Sequence, residues 1–285
     1  MSVNSWSHSK LMDFEKCKKY FWLKHDQRIP EPERPLPPGK TEHANDRGTR
    51  VHQSCEDFVS GKIKELCPEA AQYFGMQLDL LRVMYKDGLV SLEGEWGLNR
   101  DWAPWAWAGD WLEIEEPEEP EELGLTVQKV KTLPAKALHD VIYAVGQGRG
   151  KPAKHFIWEP PWLRMKLDAM VMHDETTATV IDYKTGRKFG NEIKHAEQLQ
   201  LYQLATFMRY PQLQTVHAEL WYLDQNETTS QKFSRAMGLR YRDKFTKRGD
   251  ALTACEDFPA NPNKFTCKWC QYGPWNGGQC SVGVR

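Results

Sequence analysis

Two short segments with a two-residue period constrain this chain more than any other feature in it: Met165–Met172 and Ala178–Lys184. In the first, Lys166, Asp168, Met170 and Met172 alternate with Leu167, Ala169 and Val171, and the second alternates likewise, which is the pattern of β-strands. The polar stretch His173-Asp-Glu-Thr-Thr between them suits a hairpin turn. If that turn is symmetric about Glu175, partners across the hairpin share a constant sum of residue numbers. Asp168 then faces Asp182, and Lys184, two residues on, shares the face of Asp182.

Directly opposed like charges destabilise a sheet, and two carboxylates about 4 Å apart repel by roughly 4 kcal/mol at an effective dielectric of about 20. Something must offset that repulsion. Either the acids turn to water or are neutralised by lysines, or a divalent cation sits between them and turns repulsion into coordination. Hard carboxylate oxygens favour Mg²⁺ or Mn²⁺ over zinc. A lysine beside such an ion would hold a water or a phosphate oxygen where charge develops.

The rest of the chain reads as helices around this hairpin. Leu11, Phe14, Cys17 and Phe21 recur at helical spacing after serine caps, and five prolines between Ile29 and Gly39 mark a loop. Helices are predicted over about 46–61, 68–87 and 191–208, strands over 89–96 and 218–223, and a basic amphipathic helix over about 231–247. Glu113–Glu122, with seven glutamates and two prolines, reads as a solvated loop, and 126–154 as an insertion within one sheet. The 285 residues are expected to form a single domain: a helical N-terminal part to about 90, an insertion at about 112–156, a core at about 157–225, and a basic and cysteine-rich tail from about 226.

A formal charge of −1 provides no global field for a polyanion, so any such partner must meet a local basic patch. Mean hydropathy of −0.69 and the lack of any long apolar run predict no membrane span and no secretory leader, hence a cytoplasmic protein. In that reducing setting the seven cysteines read as metal ligands or buried small residues rather than disulfides. Cys267-Lys-Trp-Cys270, followed by Cys280, is a metal-ligand spacing. Cys55 and Cys67 read as buried small apolar residues.

Taken in order, the motifs resemble the PD-(D/E)xK nuclease superfamily. Val180-Ile-Asp-Tyr-Lys-Thr-Gly resembles its Asp-x-Lys motif, and Gln198-Leu-Gln-Leu-Tyr202 the Gln-x-x-x-Tyr motif of its RecB-like branch. Gly48-Thr-Arg-Val-His52 is similar to that branch's helix-borne histidine. The resemblance implies a restriction-endonuclease-like α/β core, a small mixed sheet flanked by helices. It further implies that Asp168 and Asp182 hold Mg²⁺ or Mn²⁺, with His52 as a ligand or a modulator of one and the Tyr183 carbonyl as a further ligand, and that Lys184 assists the attacking water. Gln198 and Tyr202, one helical turn apart, would contact phosphate or order the lysine. Glu95 resembles an upstream family glutamate.

Cys17 with Cys267, Cys270 and Cys280 resembles the iron–sulfur clamp of the AddB nuclease domain and of CRISPR-associated RecB-like exonucleases, which implies a [4Fe–4S] cluster joining the two ends of the chain. Zn²⁺ suits the same four thiolates, and the gap between Cys270 and Cys280 leaves Cys255 as a substitute ligand. The activity implied is DNA exonuclease in recombination, repair or phage DNA metabolism, on DNA that is single-stranded or has a free end. A helicase, an annealing protein or further copies of the chain are the candidate partners. Lys232, Arg235, Arg240, Arg242, Lys244, Lys247 and Arg248 form a candidate backbone track, extended by Lys16, Lys18, Lys19 and Lys24. Trp6, Trp22 and the tryptophans of 102–111 are candidates for base stacking or core. A catalytically inactive nucleic-acid-binding module and a structural zinc or redox metalloprotein are the alternative readings.

Overall fold

The computed structural model describes residues 3–33, 35–105, 110–113, 156–186 and 188–285. The acidic run beyond residue 113 and the whole of 126–154 lie outside these residues.

Helices α1 (His8–Lys16), α2 (Lys18–Phe21, continued by a π turn), α3 (Ala44–Val59) and α4 (Pro68–Lys86) precede the sheet. Strands β1 (Val90–Leu98), β2 (Pro104–Trp105), β3 (Asp110–Glu113), β4 (Phe156–Glu159), β5 (Leu163–Met172) and β6 (Thr177–Lys184) follow. Helix α5 (Glu192–Arg209) leads to β7 (Thr215–Tyr222) and β8 (Glu227–Ser234), and the chain ends through α6 (Arg235–Leu239), α7 (Arg242–Thr253) and α8 (Lys264–Cys267). The main sheet has the order β2-β1-β5-β6-β7-β8. Only β6 and β7 pair in parallel, because α5 carries the chain back across the sheet between them; every other neighbour is antiparallel. This is the expected mixed α/β sheet flanked by helices.

Two apolar layers hold the sheet. On one face Ala178, Val180, Val216, Ala218 and Leu220 pack with Leu201, Leu204 and Phe207 of α5. On the other, Ile181, Tyr183 and Trp221 meet Val51, Cys55 and Phe58 of α3 and Phe74 and Leu78 of α4. Burial on both faces explains why β6 is buried from Ala178 to Tyr183 without a solvated side. Full burial of a side chain of this kind contributes about 1.5–3 kcal/mol. Trp6 and Trp102 are fully buried, so they serve the core and not base stacking.

Two elements differ from the sequence expectation. Residues 231–234, read as the start of a basic helix, belong to the edge strand β8, where Thr228, Thr229 and Ser230 continue the ladder with β7. The helix expected through Cys17 breaks there: Cys17 is extended at φ −165°, ψ 114°, between α1 and α2. That break turns the cysteine out of the helix toward the C-terminal tail, where the Asn261 N–H points at its sulfur at 3.5 Å.

Candidate active site

The hairpin register keeps the sum expected from symmetry about Glu175, with Ala169 opposite Ile181 and Met172 opposite Ala178. Pairing between β5 and β6 stops at Ala169 and Ile181, while β5 continues along β1 and β6 along β7. The centre of the sheet is therefore a fork, and Asp168 and Asp182 stand at its apex. At that point side chains take over from the ladder. The Tyr183 N–H donates to Asp168 Oδ2 at 2.5 Å, and the Tyr202 hydroxyl reaches the Lys166 carbonyl at 3.2 Å.

Each carboxylate is held by its own helix. From α5, Gln198 Nε2 donates to Asp182 Oδ1 at 3.0 Å, and the Tyr202 hydroxyl lies 3.1 Å from the same oxygen. Gln198 also donates to the Tyr202 oxygen at 2.7 Å, so the two residues one turn apart act as a single clamp. From α3, His52 Nδ1 lies 2.8 Å from Asp168 Oδ1, with its ring edge-on to Tyr183 at 5.7 Å. Gly48 permits that approach: a Cβ there would come within 3.3 Å of Thr185 Oγ1. Arg47 fastens the contact, donating to the Thr185 carbonyl at 3.2 Å and to both oxygens of Asp224. Lys184 Nζ pairs with Asp182 Oδ2.

The electrostatics follow from burial. Burial raises the pKa of Asp168, and the charge of Asp182 raises it further, against the lowering bond from His52. Burial alone would lower His52, but its bond to Asp168 and the charges of Asp168 and Asp182 outweigh that and raise it. The Tyr202 phenol is pushed well above its usual range by burial and then by Asp182, so it acts as a hydrogen-bond donor and not a base.

A cleft of about 690 Å³ opens beside this group. It is lined by His52, Lys166, Tyr183, Lys184, Gln198 and Tyr202, and also by His8, Arg164, Lys194 and His195. These last four were not singled out from the sequence. His195 had a signal, since positions 195, 198 and 202 share one face of α5. His8 had none: it reaches the cleft because the Trp6 N–H bonds the Trp162 carbonyl and the Arg164 N–H bonds the Trp6 carbonyl, seating the start of α1 on β5. Glu95 lies opposite Lys166 in the ladder but is exposed and does not line the cleft.

His8 is 7% exposed, with Nε2 buried and unpartnered. Burial, then Lys194 and Lys184, lowers its pKa from 6.5 to about 4. His195 is lowered to about 4 by burial and the same two lysines, and its Nδ1 lies 2.7 Å from the Tyr222 hydroxyl. Both imidazoles are thus neutral near pH 7. Because the unfolded chain takes up a proton at His8 that the folded one refuses, stability is full above about pH 6.5 and falls as pH drops toward 4. The expected loss from His8 is about 3 kcal/mol. Urea unfolding at pH 7 and pH 4 should show a His8→Phe variant losing that much less than the parent; equal losses would remove His8 from the account.

The donor set suits a hard divalent ion. Asp182 Oδ2 is buried without a well-formed hydrogen bond and faces only the Lys184 ammonium, so it is the oxygen a cation can take. With Nδ1 on Asp168, His52 orients that carboxylate and leaves Nε2 as the nitrogen that could take a cation. As the side chains stand, no group of three or more His, Cys, Asp or Glu among the described residues is drawn to a common point close enough to bind a metal. The reason at the fork is that each carboxylate is turned to an internal partner.

Past the far end of α1, Cys17, Cys267, Cys270 and Cys280 line one small cavity of about 20 Å³. None forms a disulfide. The Asn263 N–H points at Cys267 Sγ at 3.3 Å, as the Asn261 N–H does at Cys17 Sγ. Burial raises the Cys270 thiol, and Cys280 and Cys17 add to the rise. Cys255 does not line this cavity; its thiol donates to the Asp257 carbonyl at 3.0 Å. Cys55 is fully buried and Cys67 caps α4.

The basic track is largely spent on structure. Arg235 donates to the carbonyls of Phe207, Tyr210 and Leu213 at the end of α5, and Arg242 to the Asp101 carbonyl. Lys244 and Arg248 pair with Glu197, and Arg248 also with Glu15.

A forked mixed sheet with two carboxylates at its fork, and a lysine on the wall of the adjoining cleft, suits metal-dependent phosphodiester hydrolysis. Residues 5–275 match the family model of the PD-(D/E)XK nuclease superfamily, and the chain belongs to that superfamily. Its members usually use Mg²⁺ or Mn²⁺, with DNA as substrate. No curated protein matches the chain. The solved structure described as "Crystal structure of SSO0001" is similar at 10% identity and a TM-score of 0.39, covering 100% of this chain and 90% of that one. Among the described residues no helix is long and apolar enough to cross a membrane.

Proposed function

We propose that this chain is a DNA exonuclease of the RecB-like branch, acting in recombination, repair or phage DNA metabolism. The observation that carries the reading is that Asp168 and Asp182 are bonded to His52, Lys184, Gln198 and Tyr202, four residues that line one cleft. A bound Mg²⁺ or Mn²⁺ supplies positive charge for the phosphate and makes its water a nucleophile near neutral pH. Asp168 and Asp182, with the Tyr183 carbonyl and His52 Nε2, would hold that ion. Gln198 and Tyr202 occupy Asp182 Oδ1 and so leave Oδ2 as the oxygen for that ion. Lys184 Nζ orients the attacking water and stabilises the charge that grows on the phosphate oxygens.

The four tail cysteines are read as ligands of a [4Fe–4S] cluster tying α1 to the C-terminus. Their clustering from three chain segments and the N–H groups aimed at two sulfurs support it. The small volume between them favours a second reading, a single Zn²⁺. A brown protein with a broad band near the blue edge supports the cluster, and a colourless one with one equivalent of zinc the ion.

The function is tested with end-labelled oligonucleotides of opposite polarity and a closed circular plasmid, in Mg²⁺ or Mn²⁺. Cleavage from one labelled end, an intact circle, and arrest by EDTA are expected. Nicking of the circle would replace exonuclease by endonuclease, and no cleavage of any substrate would leave the inactive binding module.

A further inference from the structure

The connection from β6 to α5 borders the cleft at both ends, through Thr185 and Gly186 on one side and Lys194 and His195 on the other. Between them two large apolar side chains stand in solvent, Phe189 at 89% and Ile193 at 82% exposure. Gly190, at φ +85°, turns the chain between them, and its N–H is held by Glu192 Oε2 at 2.8 Å. Neither apolar side chain belongs to the two core layers, so folding does not account for them. The cleft wall beside them carries the ammonium groups of Lys184 and Lys194. Cations on the wall and apolar surface at the rim match a chain that presents phosphate and aromatic base in alternation.

A base within a duplex has both faces covered by its neighbours, whereas an unpaired base offers its face to a side chain. We propose that Phe189 and Ile193 form a base-stacking prong that grips an unpaired nucleobase next to the phosphate in the cleft, which makes a strand with unpaired bases the substrate class of this site. This rests on the nuclease reading above. Three tryptophans that the sequence offered for stacking do not compete for the role: Trp6 and Trp102 are buried, and Trp22 is partly buried beneath Lys19 Nζ, 3.8 Å from its ring.

The test measures binding of a labelled oligonucleotide by anisotropy, with Ca²⁺ in place of Mg²⁺ so that bound DNA stays whole. Both side chains are on the surface, so Phe189→Ala and Ile193→Ala keep the fold. Phe189→Ala should weaken single-strand binding about tenfold while leaving a blunt duplex nearly unaffected, and Phe189→Tyr should restore it. A single abasic nucleotide, scanned along the strand, should at one position weaken the parent by the same factor and erase its difference from Phe189→Ala. Unchanged single-strand affinity in Phe189→Ala, a defect that no abasic position erases, or a self-association that Phe189→Ala dissolves would each overturn the prong. A parent that cleaves DNA in Mg²⁺ while Phe189→Ala binds normally sinks the prong alone. A parent that neither binds nor cleaves DNA sinks the nuclease reading with it.

Discussion

Asp182→Ala is expected to lose metal-dependent cleavage by about 10³-fold or more while folding as the parent does. The catalytic loss follows from removing the carboxylate that α5 and Lys184 organise. Without it Mn²⁺ affinity falls, and the Lys184 ammonium loses the partner that places it. The fold tolerates the change because the donors have other acceptors: Tyr202 keeps the Lys166 carbonyl at 3.2 Å and Gln198 keeps the Tyr202 oxygen at 2.7 Å. Repulsion between the paired acids also disappears, and Asp168, which the charge of Asp182 raises, relaxes toward its ordinary pKa. Stability should therefore move by no more than about 1 kcal/mol, the worth of one hydrogen bond. Rates on a labelled oligonucleotide, Mn²⁺ binding by calorimetry and urea unfolding check the three parts. A variant that still cleaves at the parent's rate would falsify the assignment of this carboxylate.

Why that pair was legible in the sequence, and its surroundings were not, has a physical basis. Alternation and a symmetric turn determine register, and register alone places Asp168 across from Asp182. Helical spacing alone puts Gln198 and Tyr202 on one face, and both bonds to Asp182 follow. A fork, by contrast, arises from which strands β5 and β6 follow beyond the apex, a matter of three-dimensional pairing with β1 and β7. His8 joins the cleft through two backbone bonds spanning more than 150 residues, for which a linear pattern carries no trace. The basic helix misled for a related reason. Counting charges identifies Arg235, Lys244 and Arg248, but their carbonyl and carboxylate partners come from α5 and α1. Charges that look available along a chain are consumed once distant acids and helix ends are brought beside them.

The proposed cysteine tether carries the other large expected effect. Cys17→Ser should lower the unfolding free energy of the metal-loaded protein by about 5 kcal/mol, on the scaling for closing a loop of about 250 residues between positions 17 and 267. Other bonds also join the two ends, among them the Lys19 N–H to the Pro259 carbonyl at 3.3 Å, the Tyr272 hydroxyl to the Ile29 carbonyl at 2.6 Å, and Arg248 to Glu15. The break in the helix at Cys17 leaves α2 dependent on that contact, since its first residue lacks a side-chain cap. Loss of the ligand should therefore free the tail and α2 together, and hydrogen exchange should quicken in both before it does in β6 or α5. Cys255→Ser is the matched control: its thiol donates to the Asp257 carbonyl and does not line the cavity, so metal content should hold. If Cys17→Ser keeps its metal and its stability while Cys255→Ser loses both, the ligand set passes to Cys255 and the tether as drawn is wrong. If both variants match the parent, the tail is held by packing of Tyr272 and Phe258 against α2 and not by a metal centre.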